Sequence, residues 1–294
     1  MAVAKARPKR GSESGGGARG APPRQPAETS TPAAHPPSAG QHALGDFLVM
    51  AIWVAFSSVF AEVADHVHIA TGVNEVALNI VLLVAGLAAI TPVCDYFWGA
   101  ILNPVHNVAL LLRGAGGGVA TNIARMCGQL AGAIVGCLLA LALVPPHHQG
   151  KFHLLSGKLK EGLPIAHGFF AEATLVVVVN LFFLYMTEGG LQRTKSKALS
   201  ALAPHALTVV VVLVGAEFTG PSLNPTLSFA WNLLYQRHSM VEHLAVFWAG
   251  PLAGAVVSAL VWRGTGMRSA RDRAAGRAAR RALGRGAGSK PKVA

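Results

Sequence analysis

Hydrophobic residues along this chain gather into runs of roughly 20, the length of helix that crosses a bilayer core. Six runs stand out, over 44–64, 75–90 (extended past Pro92 toward Phe97), 119–143, 165–186, 201–216 and 241–262. A short polar loop over 65–74 separates the first two. After the second and fifth runs the pattern breaks the same way. Trp98-Gly99-Ala100-Ile101-Leu102-Asn103-Pro104-Val105-His106-Asn107 and Phe218-Thr219-Gly220-Pro221-Ser222-Leu223-Asn224-Pro225-Thr226-Leu227-Ser228-Phe229 each pass through a glycine-bearing turn into Asn-Pro. Proline suits the first turn of a helix, where its missing N–H would be unpaired anyway, and asparagine before it is a good N-cap. Each motif therefore predicts the N-terminus of a half-helix, over 104–112 and 225–235, too short to span a bilayer alone. Polar backbone at membrane depth is tolerated only inside protein or beside a water-filled path. The pattern predicts an all-α membrane protein with a pore.

The order span, span, Asn-Pro half-helix, span occurs twice, in repeats over 43–143 and 164–262 of a channel domain at 43–262. Asp46 and Glu172 hold matching places, 57 residues before Asn103 and 52 before Asn224. Three spans per repeat is an odd number, so the second repeat must be inverted, and inverted repeats share a site near the midplane. With six spans both tails lie on one side. That side takes the tails, the 113–125 region (Arg113, Arg125) and the 193–197 loop, which together carry 21 of the 25 Lys and Arg residues. The other side has Lys151, Lys158, Lys160 and Arg237. The asymmetry predicts that both termini are cytosolic.

Composition narrows the function further. Hydrophobic residues make up 52% and charged residues 13%, below the roughly 25% charged of soluble domains. The net charge of +12 is concentrated in tails and loops, which excludes a nucleic-acid-binding surface. Residues 1–42 are rich in Gly, Pro, Ala and Ser and predict a disordered basic tail; Pro8 and the prolines after it oppose an amphipathic targeting helix. The C-terminal tail, 263–294, has ten Lys and Arg and one acid, Asp272. Its 268–283 portion reads either as a basic helix on an anionic surface or as a solvated tail. Cys94, Cys127 and Cys137 lack ligand spacing and read as buried thiols. His147, His148 and His153 share a polar loop, a pattern that more often neither binds metal nor senses pH. Glu62, Asp95 and Glu217 read as interfacial carboxylates. No catalytic constellation, metal site or cofactor motif is assigned. Gly128, Gly132 and Gly136 let a neighbouring helix approach closely, within a subunit or between subunits.

The paired Asn-Pro motifs, the carboxylates in the first and fourth spans and Phe247-Trp248-Ala249-Gly250-Pro251 resemble the aquaporin (major intrinsic protein) family over about residues 44–262. The altered first motif, the basic charge and Thr219-Gly220-Pro221-Ser222 are most similar to the plant-type small basic intrinsic protein subfamily. The resemblance implies six transmembrane helices, two re-entrant half-helices and a homotetramer with a pore in each subunit. It implies pore motifs at Asn103, Pro104, Val105, Asn224, Pro225 and Thr226, with the two asparagine amides hydrogen-bonding single-file water. Val105 and Thr226 stand where alanine is usual, which implies an altered central constriction. An outer filter of Leu83, Val212, Pro221 and Leu227 is implied, with Leu227 in the place of the usual arginine. Asp46 and Glu172 are then structural carboxylates that brace the pore loops.

The expected partners are water, small uncharged solutes such as glycerol or hydrogen peroxide, and membrane lipid. A secondary transporter and a non-conducting scaffold are the alternatives; a transporter needs a coupling-ion carboxylate facing the cavity. The subfamily resemblance points to the endoplasmic reticulum membrane, with the plasma membrane as the alternative.

Overall fold

In lipid, a backbone N–H or C=O finds no partner except within its own helix, so each apolar run is held to helix. This computed structural model describes residues 36–114, 116–188 and 197–265, without the side chains of 187, 188 and 197–201. The described residues contain helices and turns and no strand. The helices are α1 (Ala39–Ser57), α2 (Phe60–Thr71), α3 (Glu75–Tyr96), the half-helix α4 (Pro104–Leu112), α5 (Val119–Leu143), α6 (Ile165–Glu188), α7 (Lys197–Gly215), the half-helix α8 (Pro225–Tyr235) and α9 (Met240–Gly264). Among the described residues, five stretches are long and apolar enough to span a bilayer, Ala39–Thr71 (α1 with α2), α3, α5, α6 and α9. In α7 the apolar part is shorter, Leu202–Gly215.

The first span departs from its expected bounds at both ends. Helix α1 begins inside the segment read as tail, where Ser38 and Gln41 form a capping box that satisfies free N–H groups at both positions. At the far end α2 follows α1 after Ser58 and Val59, so the polar loop expected over 65–74 shrinks to 72–74. The polar residues stay helical because they bond back along the helix: His66 Nδ1 to Glu62 O at 2.9 Å and Thr71 Oγ1 to Val67 O at 2.6 Å. Gly72, at φ 73°, then ends it in the left-handed conformation that glycine adopts without steric penalty. Residues 1–35 and 266–294 lie outside the described residues, and with them most of the tail readings, including the 268–283 segment.

Two glycine seams hold the bundle together, one in each repeat. A Cβ on Gly128 or Gly132 would run into the backbone carbonyl of Ala43 or Phe47, and one on Gly136 would stand 2.7 Å from Ala51 O. These three residues therefore press α5 against α1 within one subunit, resolving the alternatives left by the sequence. The second repeat repeats the device. A Cβ on Gly250 would meet Phe169 O at 2.8 Å, and one on Gly254 would meet Ala173 O and Val176, so α9 packs backbone to backbone on α6. Close approach of this kind lets dispersion and polar contacts, rather than water exclusion, drive association in lipid.

Helix α9 carries a π-helical segment, His243–Ala249, just before Pro251. Proline lacks the N–H that would bond one turn back, and its ring crowds the carbonyl there. The chain relieves this by widening: Gly250 N–H reaches Ala245 O, five residues back.

The polar loop after α5 is not simply solvated. Phe152 is fully buried, its ring 5.3 Å from that of Trp231 in α8. Ser156 O accepts from Ser228 Oγ at 2.6 Å, and the backbone N–H groups of Lys158 and Lys160 donate to Thr219 O and Phe218 O. Gly157 sits where a Cβ would stand 2.6 Å from the Phe247 ring. The loop is thus a plug laid over the second Asn-Pro segment. Of the three cysteines expected to be buried, Cys137 is, Cys94 is half-buried and Cys127 is exposed.

Replacing Gly132 or Gly254 by leucine forces a side chain into backbone that cannot yield. Each change is expected to cost upward of about 1–3 kcal/mol and to abolish the monodisperse peak in detergent gel filtration. Gly118→Ala, with nothing within 4 Å, serves as the tolerated control.

Candidate functional site

Asn103 and Asn224 cap α4 and α8 with the same geometry. Each Oδ1 accepts from the backbone N–H two residues on, Val105 at 3.0 Å and Thr226 at 3.2 Å. Each Nδ2 then crosses to the other repeat. Asn103 Nδ2 donates to Leu223 O at 2.9 Å, and Asn224 Nδ2 donates to Leu102 O at 2.8 Å. The acceptor in each case is the residue just before the opposite asparagine, which is what a two-fold axis between the repeats requires. Leu102 and Leu223 both take positive φ, 60° and 51°, rare for a branched residue and costing about 1–3 kcal/mol. That conformation accompanies carbonyls placed to receive the opposite amide. The two half-helix N-termini therefore meet, and each amide has a second N–H that these bonds do not use.

The residues after each asparagine lie behind the meeting point. Pro104 and Pro225 occupy the first helical turn and are buried. Val105 is 1% exposed and packs with Val176, Val211, Leu223 and Ala255. Thr226 is also 1% exposed, and its hydroxyl donates to Asn224 Oδ1 at 2.8 Å. Neither side chain projects into an opening. Their effect on the constriction is exerted through how they seat the asparagines.

Asp46 and Glu172 hold the approaches to the two motifs, but with unequal support. Asp46 Oδ1 accepts from the backbone N–H of Ile101 at 2.6 Å and of Leu102 at 3.3 Å, and from Gln129 Nε2 at 3.1 Å. Its Oδ2 faces Arg125 Nε at 2.6 Å. Glu172 accepts from Thr219 Oγ1 at 2.8 Å, and among the described residues it forms no ion pair. Arg125 was counted with the cytosolic loop charges. It lies instead inside α5, 4% exposed, where its guanidinium also bonds Gly99 O. The guanidinium offsets much of the cost of burying the Asp46 carboxylate.

Sequence reasoning missed the polar ladder around this pair. Gln129 Nε2 also donates to Asn107 Oδ1 at 2.8 Å, Asn107 Nδ2 to Asn122 Oδ1 at 3.1 Å, and Asn122 Nδ2 to the carbonyls of Gly116 and Gly118. The signal was present: Asn122, Arg125 and Gln129 fall three and four apart in α5, in register with Gly132 and Gly136. One stripe therefore carries both the polar brace and the close seam. A second set of contacts crosses between the repeats: His106 of α4 bonds Asn180 of α6 at 2.6 Å and stacks on Phe183, while Asn180 bonds Ser258. His106 stood in the motif as written but had no assigned partner.

With this geometry in place, comparison with known proteins is direct. The family model described as Major intrinsic protein matches residues 35–262. The chain is a major intrinsic protein. Its relatives include the probable aquaporin SIP1-2 of Arabidopsis thaliana, 27% identical over 77% of this chain and 93% of that one, and aquaporin SIP1-1 of Oryza sativa subsp. japonica, 31% identical over 75% and 91%. Both are plant small basic intrinsic proteins, the subfamily the sequence resembles. The fold is that of a solved aquaglyceroporin from Plasmodium falciparum, with a TM-score of 0.60 and 16% identity, covering 76% of this chain and 96% of that one.

In this major intrinsic protein the four filter candidates do not fall into one cluster. Leu83 and Leu227 pack on the apolar cluster that contains Trp53, Phe152 and Trp231. Val212 packs on the cluster around Val105. Pro221 is buried, and a Cβ on Gly215 would stand 2.6 Å from its ring.

Where the chain passes from α8 into α9, Trp248 Nε1–H donates to His243 Nε2 at 2.9 Å, so His243 Nδ1–H faces His238 Nε2 at 2.8 Å. Burial first, then the neighbouring His243 and Arg237, lowers the pKa of His238 to about 4, against 6.5 for a free imidazole. The unfolded chain thus binds the extra proton at higher pH. The stability from this group is full above 6.5 and is lost as pH falls through that window toward about 4. Melting temperature should drop over that range, and His238→Gln should flatten the drop. The brace is tested separately. Arg125→Met strands a buried carboxylate and is expected to destabilise by about 3–5 kcal/mol. Adding Asp46→Asn should recover part of the loss in a double-mutant cycle of thermal melts.

Proposed function

We propose that the chain is a passive membrane channel for water and small uncharged solutes, with a conduit in each subunit. The observation that carries this reading is the reciprocal pair of bonds from Asn103 to Leu223 O and from Asn224 to Leu102 O. They hold two helix N-termini together at the centre of a bundle of apolar helices. Two such ends aim positive potential at one point, which repels cations and protons, and the uncommitted amide N–H of each asparagine is placed to bond passing water. Asp46 has both oxygens engaged, which weighs against a coupling-ion site at that carboxylate.

In this reading the channel domain comprises inverted repeats at 43–143 and 164–262. Leu83, Val212, Pro221 and Leu227, although Leu83 and Leu227 pack on one apolar cluster and Val212 on another, together supply an apolar outer filter in which Leu227 brings neither a donor nor a fixed charge. Glycerol and hydrogen peroxide are the solutes such a filter admits beside water. Asp46 and Glu172 act as structural braces of the two pore loops. In this reading both termini are cytosolic, supported by the positive-inside asymmetry, which stays strong with Arg125 removed from it. Similarity to the small basic relatives favours the endoplasmic reticulum membrane over the plasma membrane, and a homotetramer as the assembly.

Stopped-flow light scattering on proteoliposomes tests the reading. Shrinkage under an osmotic gradient should be faster than in empty vesicles, non-saturable and independent of ion gradients. Asn224→Asp replaces the donor aimed at Leu102 O by an oxygen and should slow the water phase toward the empty-vesicle rate. Uptake that saturates and follows an ion gradient would assign a transporter instead. Leu227→Arg should narrow the solute range, seen as a lower ratio of glycerol to water permeability; an unchanged ratio would remove Leu227 from the pore.

A further inference from the structure

We infer that Glu62, His66 and His148 form a binding site for a divalent transition metal ion of the zinc class, at the junction between α2 and the turn that follows α5. One ligand atom from each of the three residues lies within 4.8 Å of the other two. A tetrahedral ion with ligands at about 2.0–2.2 Å needs them roughly 3.4 Å apart. The set therefore closes on an ion by side-chain rotation alone. Two imidazole nitrogens and one carboxylate oxygen are the donors of open zinc sites, in which water takes the fourth position.

The separate halves of the site are already oriented. Glu62 and His66 stand one turn apart on the same face of α2, spacing that lets both side chains reach one point. His66 Nδ1–H donates to Glu62 O at 2.9 Å, which fixes the tautomer and leaves Nε2 with its lone pair free, the arrangement usual for a metal-binding histidine. His148 comes from a short turn, Pro146–His148, held by two prolines and by Gln149, whose side chain bonds Leu141 O at 3.1 Å and Val144 O at 2.6 Å at the end of α5. The rings of His66 and His148 are 4.8 Å apart, and His148 Nδ1 is 4.0 Å from Glu62 Oε1.

The surrounding charges leave the site to a cation. Lys151, a basic side chain of the same loop, is engaged by Asp65 at 3.2 Å and by Glu75. Its burial lowers its pKa, but those two carboxylates outweigh the burial and raise it, so it stays charged and committed to them. Among the described residues the ion pair of the Glu62 carboxylate is the 4.0 Å contact with His148, and a metal ion would supply positive charge there. The bound ion would staple α2 to the loop that lies over the second Asn-Pro segment.

The test is calorimetric titration of zinc chloride into the full chain, tag-free, stripped with chelator and held in detergent at neutral pH. One ion per subunit is expected. Glu62→Gln, His66→Gln and His148→Gln should each weaken binding by roughly 10–100-fold, while His68→Gln and His153→Gln leave it unchanged. Should a variant not fold, zinc should still slow diethyl pyrocarbonate labelling of His66 and His148 in the wild-type chain without slowing it at His153. Absence of zinc binding, undiminished binding by His148→Gln, or labelling of all three histidines at equal rates with and without zinc would overturn the assignment.

Discussion

Two asparagine amides and two backbone carbonyls exchange hydrogen bonds at the centre of the bundle, and much else in the chain exists to make that exchange possible. Each amide must hold its own helix N-terminus and reach the opposite loop at once. That forces the preceding leucine into left-handed backbone, and a strained residue persists only where its surroundings over-determine it. In the first repeat the surroundings are Asp46, Arg125 and Gln129, which grip the N–H groups of Ile101 and Leu102 and the carbonyl of Gly99. In the second they are Glu172 with Thr219, and the plug whose Lys158 and Lys160 N–H groups bond Thr219 and Phe218.

The repeats are thus alike in backbone and unlike in chemistry. The first loop is braced from within by a charged pair and an amide ladder. The second is braced largely from outside, by the polar loop after α5, with Ser156, Gly157 and Phe152 fitted against Ser228, Phe247 and Trp231. The glycine seams explain why both schemes work. With α1 against α5 and α6 against α9 at backbone distance, Asp46 and Arg125 are brought within hydrogen-bond reach, and Glu172 lies beside Gly250.

Legibility followed the range of the interaction. The spans, the half-helices, their N-caps and the doubled order could be read because hydrophobic run length, Asn-Pro capping and repeat spacing are local. The carboxylates were legible by position, since an ionisable group in an apolar span demands a reason. Arg125 was misplaced because a charge six residues into a run looks like its flank; the helix started at Val119 and carried the charge inside. The 65–74 loop was overestimated for a similar reason, since polarity suggested loop while back-bonded His66 and Thr71 kept the helix going.

The sequence by itself determined that this chain is an all-helical membrane protein with an inverted repeat and two capped half-helices, because lipid leaves so few ways to satisfy a backbone. Only the tertiary structure decided which carbonyl each asparagine meets, which cation neutralises Asp46, which helix each glycine seam faces and which histidine of a distant loop comes to lie beside Glu62. Those pairings join residues far apart in the chain, and which of them meet is set by how closely the helices pack, a quantity no local pattern encodes.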